Sequence, residues 1–125
     1  MPWKNQPFAA RLGFALRGLA GALRSESSLK TQALVLLAVF AALGLLRPEP
    51  LWWALVALAS AGVIAAELLN TAIEELADLL HPDAHPRLRV VKDCAAAAVL
   101  IAVLGALGVA LALGVHLLRQ ANCQL

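Results

Sequence analysis

The feature that most restricts how this chain can fold is an apolar run that continues directly into a row of polar side chains. Residues 51–66 carry no charge, and Glu67, Asn70, Glu74 and Asp78 follow them. At 100° per residue these four side chains share one narrow stripe of a helix, while apolar residues occupy the other faces. One carboxylate at a bilayer centre costs about 2.5–3.5 kcal/mol on insertion scales. Two interpretations follow. Either the stripe faces the interior of a helix bundle and marks a functional site, or it is the solvated end of a helix that leaves the membrane.

The composition is typical of a membrane protein. Of the 125 residues, 62% are hydrophobic and 14% are charged, whereas soluble domains are about 45–50% apolar and about 25% charged. The net charge of +2 is too small to indicate a nucleic-acid partner. The first thirty residues contain several charges and no unbroken apolar core, so we do not expect a cleavable signal peptide.

The hydrophobic pattern predicts an all-α integral membrane protein of one domain, residues 1–125. Over 8–24, Phe8 and four leucines recur every three or four residues and the cations lie on other faces, which is typical of an amphipathic helix in the membrane interface. Three apolar segments follow that are long enough for the roughly 20 residues of a spanning helix. The predicted spans are 29–47, 51–80 and 92–118.

The distribution of positive charge predicts the orientation of these spans. Ten Lys and Arg residues are present. Two of them, Arg47 and Arg119, fall on one side of the predicted membrane. The others share the opposite side: Lys4, Arg11, Arg17, Arg24, Lys30, Arg87, Arg89 and Lys92. The positive-inside rule places this second side, and the N-terminus with it, in the cytoplasm.

Carboxylates, cations and a histidine at that boundary predict a site that joins a soluble phosphorylated reactant to a lipid. Phosphoryl transfer needs a metal held by carboxylates, cations on the phosphates and a base for the attacking hydroxyl. Glu26 and Glu74 are candidate Mg²⁺ ligands, Lys92 is a candidate phosphate contact, and Glu67, deeper in its span, is a candidate general base. Neither a GxxxxGK[ST] loop nor a kinase Gly-rich loop occurs, which excludes an ordinary ATP-binding fold.

Two other classes of protein share part of this pattern. A small multidrug-type or ion transporter also carries a glutamate in a span, but near the membrane centre and with no need for the Lys92-Asp93 pair. A non-catalytic membrane subunit would need no acidic stripe. The position of Glu67 toward the cytoplasmic end, with cations opposite, counts against the transporter.

Two motifs resemble those of the small prokaryotic diacylglycerol kinase family. Residues 67–74, ELLNTAIE, resemble its E-x-x-N-[ST]-[AS]-I-E signature, and residues 92–100, KDCAAAAVL, resemble its K-D-x-x-[AS]-A-A-V-L signature. Gly18-Leu19 and Glu26 resemble its amphipathic-helix region. The family is a three-span enzyme of bacterial inner membranes that works as a homotrimer with sites shared between subunits. The resemblance thus implies transfer of the γ-phosphoryl group of ATP, with Mg²⁺, to a lipid hydroxyl.

The resemblance also implies a role for individual residues. Glu67 matches the general base, Asn70 matches an amide near the reacting hydroxyl, and Glu26 and Glu74 match the metal ligands. The implied ATP contacts are Arg11, Phe14, Glu26, Glu74, Asp83, His85, Lys92 and Asp93. The implied lipid contacts are Arg11, Arg17, Lys30, Glu67 and Ala96.

The first helix departs from the family pattern. Pro7 stands where the family has an Arg that contacts nucleotide and lipid, and Arg11, one turn later, is a candidate substitute. Phe14 replaces a Tyr, Leu16 replaces a Trp, and Lys30 replaces an Arg and loses bidentate recognition. The motifs are common to a diacylglycerol branch and an undecaprenol branch. We expect diacylglycerol as the substrate, with undecaprenol as the alternative.

Overall fold

The computed structural model describes residues 4–124, and they form four helices. These helices are α1 (Phe8–Ser25), α2 (Ser27–Leu46), α3 (Pro50–Leu80) and α4 (Pro86–Cys123). The predicted all-helical fold is confirmed. Helices α2, α3 and α4 are each long and apolar enough to cross a membrane, as the three apolar segments predicted.

The ends of the helices follow from local backbone chemistry. Glu26 alone separates α1 from α2, and its extended backbone turns the chain between them. Arg47 ends α2 in the left-handed conformation, with φ of 48°. Pro50 and Pro86 begin α3 and α4. A proline is accepted in the first turn because its missing N–H has no partner there in any helix.

Two helices begin two or more residues before the predicted spans. Helix α2 begins at Ser27 rather than at 29. Helix α4 begins at Pro86 rather than at 92, since the backbone N–H of Arg87 donates to Nδ1 of His85 at 3.2 Å and the imidazole thereby caps the first turn. The basic residues expected ahead of the third span therefore lie within its helix.

Helices α3 and α4 form an antiparallel pair that makes most of the interhelical contact. At one end the rings of Trp52 and His116 lie 5.3 Å apart. At the other end, which carries the connecting loop 81–85 and is called the loop end below, Lys92 forms an ion pair with Asp78. Helix α1 contacts α2 and α3, and α2 contacts α3 far less extensively than α4 does.

A single chain buries few of its apolar side chains. Among the described residues, the buried hydrophobic side chains are Leu29, Leu43, Val56, Ala77 and Ala95. In contrast, many large apolar side chains on all three long helices are exposed. Contiguous apolar surface of this extent is not left to water. Together with the length of α2, α3 and α4, it indicates that lipid or further helices surround the chain.

Candidate functional site

The acidic stripe of α3 divides into an inner and an outer part. Glu67, Asn70 and Glu74 are half-buried, whereas Glu75 and Asp78 are exposed. A step of 100° per residue separates Glu74 from Glu75, which explains why adjacent carboxylates lie in different surroundings. The solvated-end interpretation therefore describes Glu75, whereas the exposed Asp78 pairs with Lys92 of α4. The inner three residues form the centre of the candidate site.

The carboxylate of Glu67 is held by a residue of another helix. Nε2 of Gln32 on α2 donates to Oε1 of Glu67 at 2.7 Å, and this hydrogen bond is partly buried. Sequence reasoning did not assign Gln32 to the site. The available signal was an amide side chain at the start of an otherwise apolar span, and a partner for it cannot be read from the sequence.

Asn70 orients the predicted metal ligand on its own helix. Nδ2 of Asn70 donates to Oε1 of Glu74 at 3.1 Å, the i to i+4 geometry of neighbouring side chains on a helix face. Oδ1 of Asn70 is buried and has no hydrogen-bond partner among the described residues. An unpaired buried acceptor is costly, so this oxygen is suited to a donor or a cation that arrives from outside the chain.

Glu26 and Glu74 lie toward the same end of the molecule. Helices α2 and α3 are antiparallel, since Gln32 meets Glu67 and Phe40 meets Trp53. Measured from the Gln32–Glu67 bond, Glu26 and Glu74 are each displaced by about 10 Å toward the loop end, at about 1.5 Å per helical residue. Both carboxylates are half-buried.

The donor set at this level fits Mg²⁺ shared with a phosphate rather than a closed metal cage. Within residues 4–124, no group of three or more His, Cys, Asp or Glu side chains is arranged to hold a metal. Magnesium is commonly held by one or two carboxylates and completes its octahedron with water and phosphate oxygens. The half-buried carboxylates of Glu26 and Glu74 and the unpaired Oδ1 of Asn70 are ligands of that kind.

A second group of predicted residues lines a surface pocket at the loop end. The pocket has a volume of about 600 Å³, and its wall includes Asp83, His85, Lys92 and Asp93. Across it, Nζ of Lys92 contacts Oδ1 of Asp78 in a salt bridge. This partner was not predicted. Four of the predicted ATP contacts are thus brought together.

The predicted contacts on α1 are not part of that pocket, whose lining runs from Ala77 to Asp93. The guanidinium of Arg17 lies 4.9 Å from the centre of the Phe14 ring. Arg11, Lys30 and Ala96 are exposed. The structure therefore gives these residues accessible positions, and their ATP and lipid contacts stay predictions.

Comparison with known proteins connects this chain to one family. The family model for prokaryotic diacylglycerol kinase matches residues 13–113. A diacylglycerol kinase from Synechocystis sp. is 36% identical over 94 residues, covering 74% of this chain and 54% of that protein. An undecaprenol kinase from Bacillus subtilis is 34% identical over 85 residues, covering 68% of this chain and 69% of that protein. The chain thus spans about half the length of the Synechocystis relative. No solved structure matches.

Proposed function

This chain belongs to the prokaryotic diacylglycerol kinase family, and we propose that it is an ATP- and Mg²⁺-dependent kinase that converts diacylglycerol to phosphatidic acid at the cytoplasmic face of the inner membrane. The observation that carries the proposal is the half-buried carboxylate of Glu67, anchored by Gln32 where an apolar span becomes polar. A lipid hydroxyl lies at such a boundary while its chains stay among apolar side chains.

In the proposed reaction, Glu67 accepts the proton of the lipid hydroxyl as the oxygen attacks the γ-phosphorus of ATP. A new O–P bond forms, the bond from the γ-phosphorus to the bridging oxygen breaks, and ADP leaves. Glu26 and Glu74 would hold Mg²⁺, which when bound neutralises phosphate charge. Lys92 and Asp93 would contact the nucleotide beside the pocket at the loop end.

The choice of lipid rests on the relatives. The relative named as a diacylglycerol kinase matches this chain over a longer segment than the relative named as an undecaprenol kinase. Undecaprenol is the second candidate because the latter relative is nearly as similar. Both alcohols present one hydroxyl next to long apolar chains, so the same catalytic groups serve either substrate.

We further propose a homotrimer with shared sites and an amphipathic α1 on the membrane surface. In support, the chain leaves much apolar surface uncovered. Gly105 and Gly108 lie on one exposed face of α4, where a Cβ atom placed on either meets no described atom within 4 Å. Small residues are the ones that let transmembrane helices approach each other closely.

The test of the function is a detergent-micelle assay with labelled ATP and Mg²⁺, in which diacylglycerol and undecaprenol are offered in parallel. We expect label in phosphatidic acid. Label in undecaprenyl phosphate instead would identify the second candidate. Label in neither lipid, from protein with intact helices, would contradict the kinase proposal and return the transporter and subunit classes to consideration.

Two variants distinguish two roles of Lys92, which are contact with the phosphates of ATP and connection of α3 to α4. Lys92→Met is expected to raise the KM for MgATP about 10- to 150-fold, because a charge-assisted hydrogen bond to phosphate is worth about 1.5–3 kcal/mol. Asp78→Asn breaks the same ion pair but keeps the ammonium group, so we expect the KM not to rise. An equal rise in both variants, measured by initial rates against MgATP, would show that Lys92 only joins α3 to α4.

A further inference from the structure

Gln32 is the polar residue at which an apolar groove meets the candidate base. The groove has a volume of about 510 Å³ and is walled by α2, α3 and α4. Its lining is apolar apart from Gln32 and Ser60. Gln32 lies in the wall of the groove beside Glu67, and the carboxylate of Glu67 accepts a hydrogen of its amide.

The hydrogen bond between Gln32 and Glu67 fixes the orientation of the Glu67 carboxylate. Oε1 of Glu67 is occupied by Nε2 of Gln32 at 2.7 Å, which leaves Oε2 as the oxygen for a substrate proton. The bond is partly buried among apolar side chains, where water competes weakly for either group. Oε1 of Gln32 is itself buried and has no partner among the described residues. In the described structure, therefore, the bond to Glu67 is what sets the orientation of this amide.

We propose that Gln32 is a positioning residue of the phosphoryl-transfer site: its amide holds the carboxylate of Glu67 in the orientation that accepts the proton of the lipid hydroxyl. This inference rests on the proposed function. Gln32 acts through Glu67 and takes no proton itself. Precise placement of a reacting group matters because a displacement of about 1 Å can cost about 100-fold in rate.

The first experiment removes the amide and keeps the shape of the side chain. Gln32→Met is expected to lower kcat about 10- to 100-fold and to leave the KM for MgATP unchanged, since the nucleotide contacts are elsewhere. Thr31→Val is the matched control, because the hydroxyl of Thr31 is exposed and bonds only to the carbonyl of Ser27 on the same helix. We expect normal kcat for this control. Normal kcat in Gln32→Met would overturn the proposal.

A double-mutant cycle distinguishes positioning from a general loss of structure. In Glu67→Asp the carboxylate is one methylene shorter and no longer reaches Gln32. Adding Gln32→Met to this variant should therefore cost little more, a strong departure from additivity. If Gln32→Met lowered kcat by the same factor in both backgrounds, Gln32 would act independently of Glu67 and the inference would be wrong.

The hydrogen bond can also be observed without any assay of activity. In an amide NMR spectrum of the protein in micelles, one glutamine side-chain proton should be shifted downfield, absent in Gln32→Met and displaced in Glu67→Asp. If the resonance kept its wild-type position in Glu67→Asp, the contact would be contradicted. If the wild-type protein phosphorylated neither lipid but showed this resonance, the proposed function would fail while the contact stood.

Discussion

Glu67→Gln is expected to abolish lipid phosphorylation, with kcat lower by about 10²- to 10⁴-fold, the usual contribution of a positioned general base. The substitution replaces one carboxylate oxygen by an amide group of nearly the same size. Its remaining carbonyl oxygen still accepts the hydrogen bond from Gln32, so the α2–α3 contact persists. The loss would therefore report the missing base rather than a disturbed helix packing.

The measurement is the initial rate of phosphate transfer to diacylglycerol in mixed micelles at saturating MgATP. Circular dichroism and size-exclusion chromatography establish that the variant keeps its helices and its assembly. Glu49→Gln is the control, because Glu49 is an exposed carboxylate at the opposite end of α3. Turnover retained in Glu67→Gln would remove Glu67 from the base role and reopen the interpretation of the whole stripe.

The elements that could be predicted from the sequence are those that depend on a single segment. Apolar length predicted the three long helices, and the charged breaks between the apolar segments predicted that separate helices follow one another. The 100° step predicted that polar side chains follow one stripe along the end of the second span. Each of these properties is fixed by residues close together in the chain.

The contacts that the sequence did not predict are those between helices. Gln32 and Glu67 come from α2 and α3, and Lys92 and Asp78 from α4 and α3. Each partner is a common polar residue, and no sequence motif indicates which residue it contacts. The meeting of two such residues depends on the rotation and depth at which whole helices pack, and that is set by many weak apolar contacts at once. The resemblance implied a nucleotide contact for Lys92 but gave no indication of its ion pair with Asp78.

Glu74→Gln is expected to have the second large effect on turnover, because it weakens the binding of Mg²⁺ and leaves the base in place. At ordinary Mg²⁺ concentrations we expect turnover to fall about 100-fold or more, comparable to the removal of one group that stabilises developing charge. A site of two carboxylates that loses one of them binds a hard cation much less tightly. Higher Mg²⁺ should therefore recover part of the lost rate, which it cannot do in Glu67→Gln.

The measurement is a Mg²⁺ titration of turnover at fixed ATP, with Glu75→Gln as the matched control. That variant makes the same change of charge one residue away, at an exposed position on another face of α3. If bulk electrostatics governed the metal requirement, the two variants would shift the titration equally. If Glu74 is a ligand oriented by Asn70, only Glu74→Gln shifts it. An unchanged titration in Glu74→Gln would place the metal elsewhere, and the unpaired oxygen of Asn70 would then need a different partner.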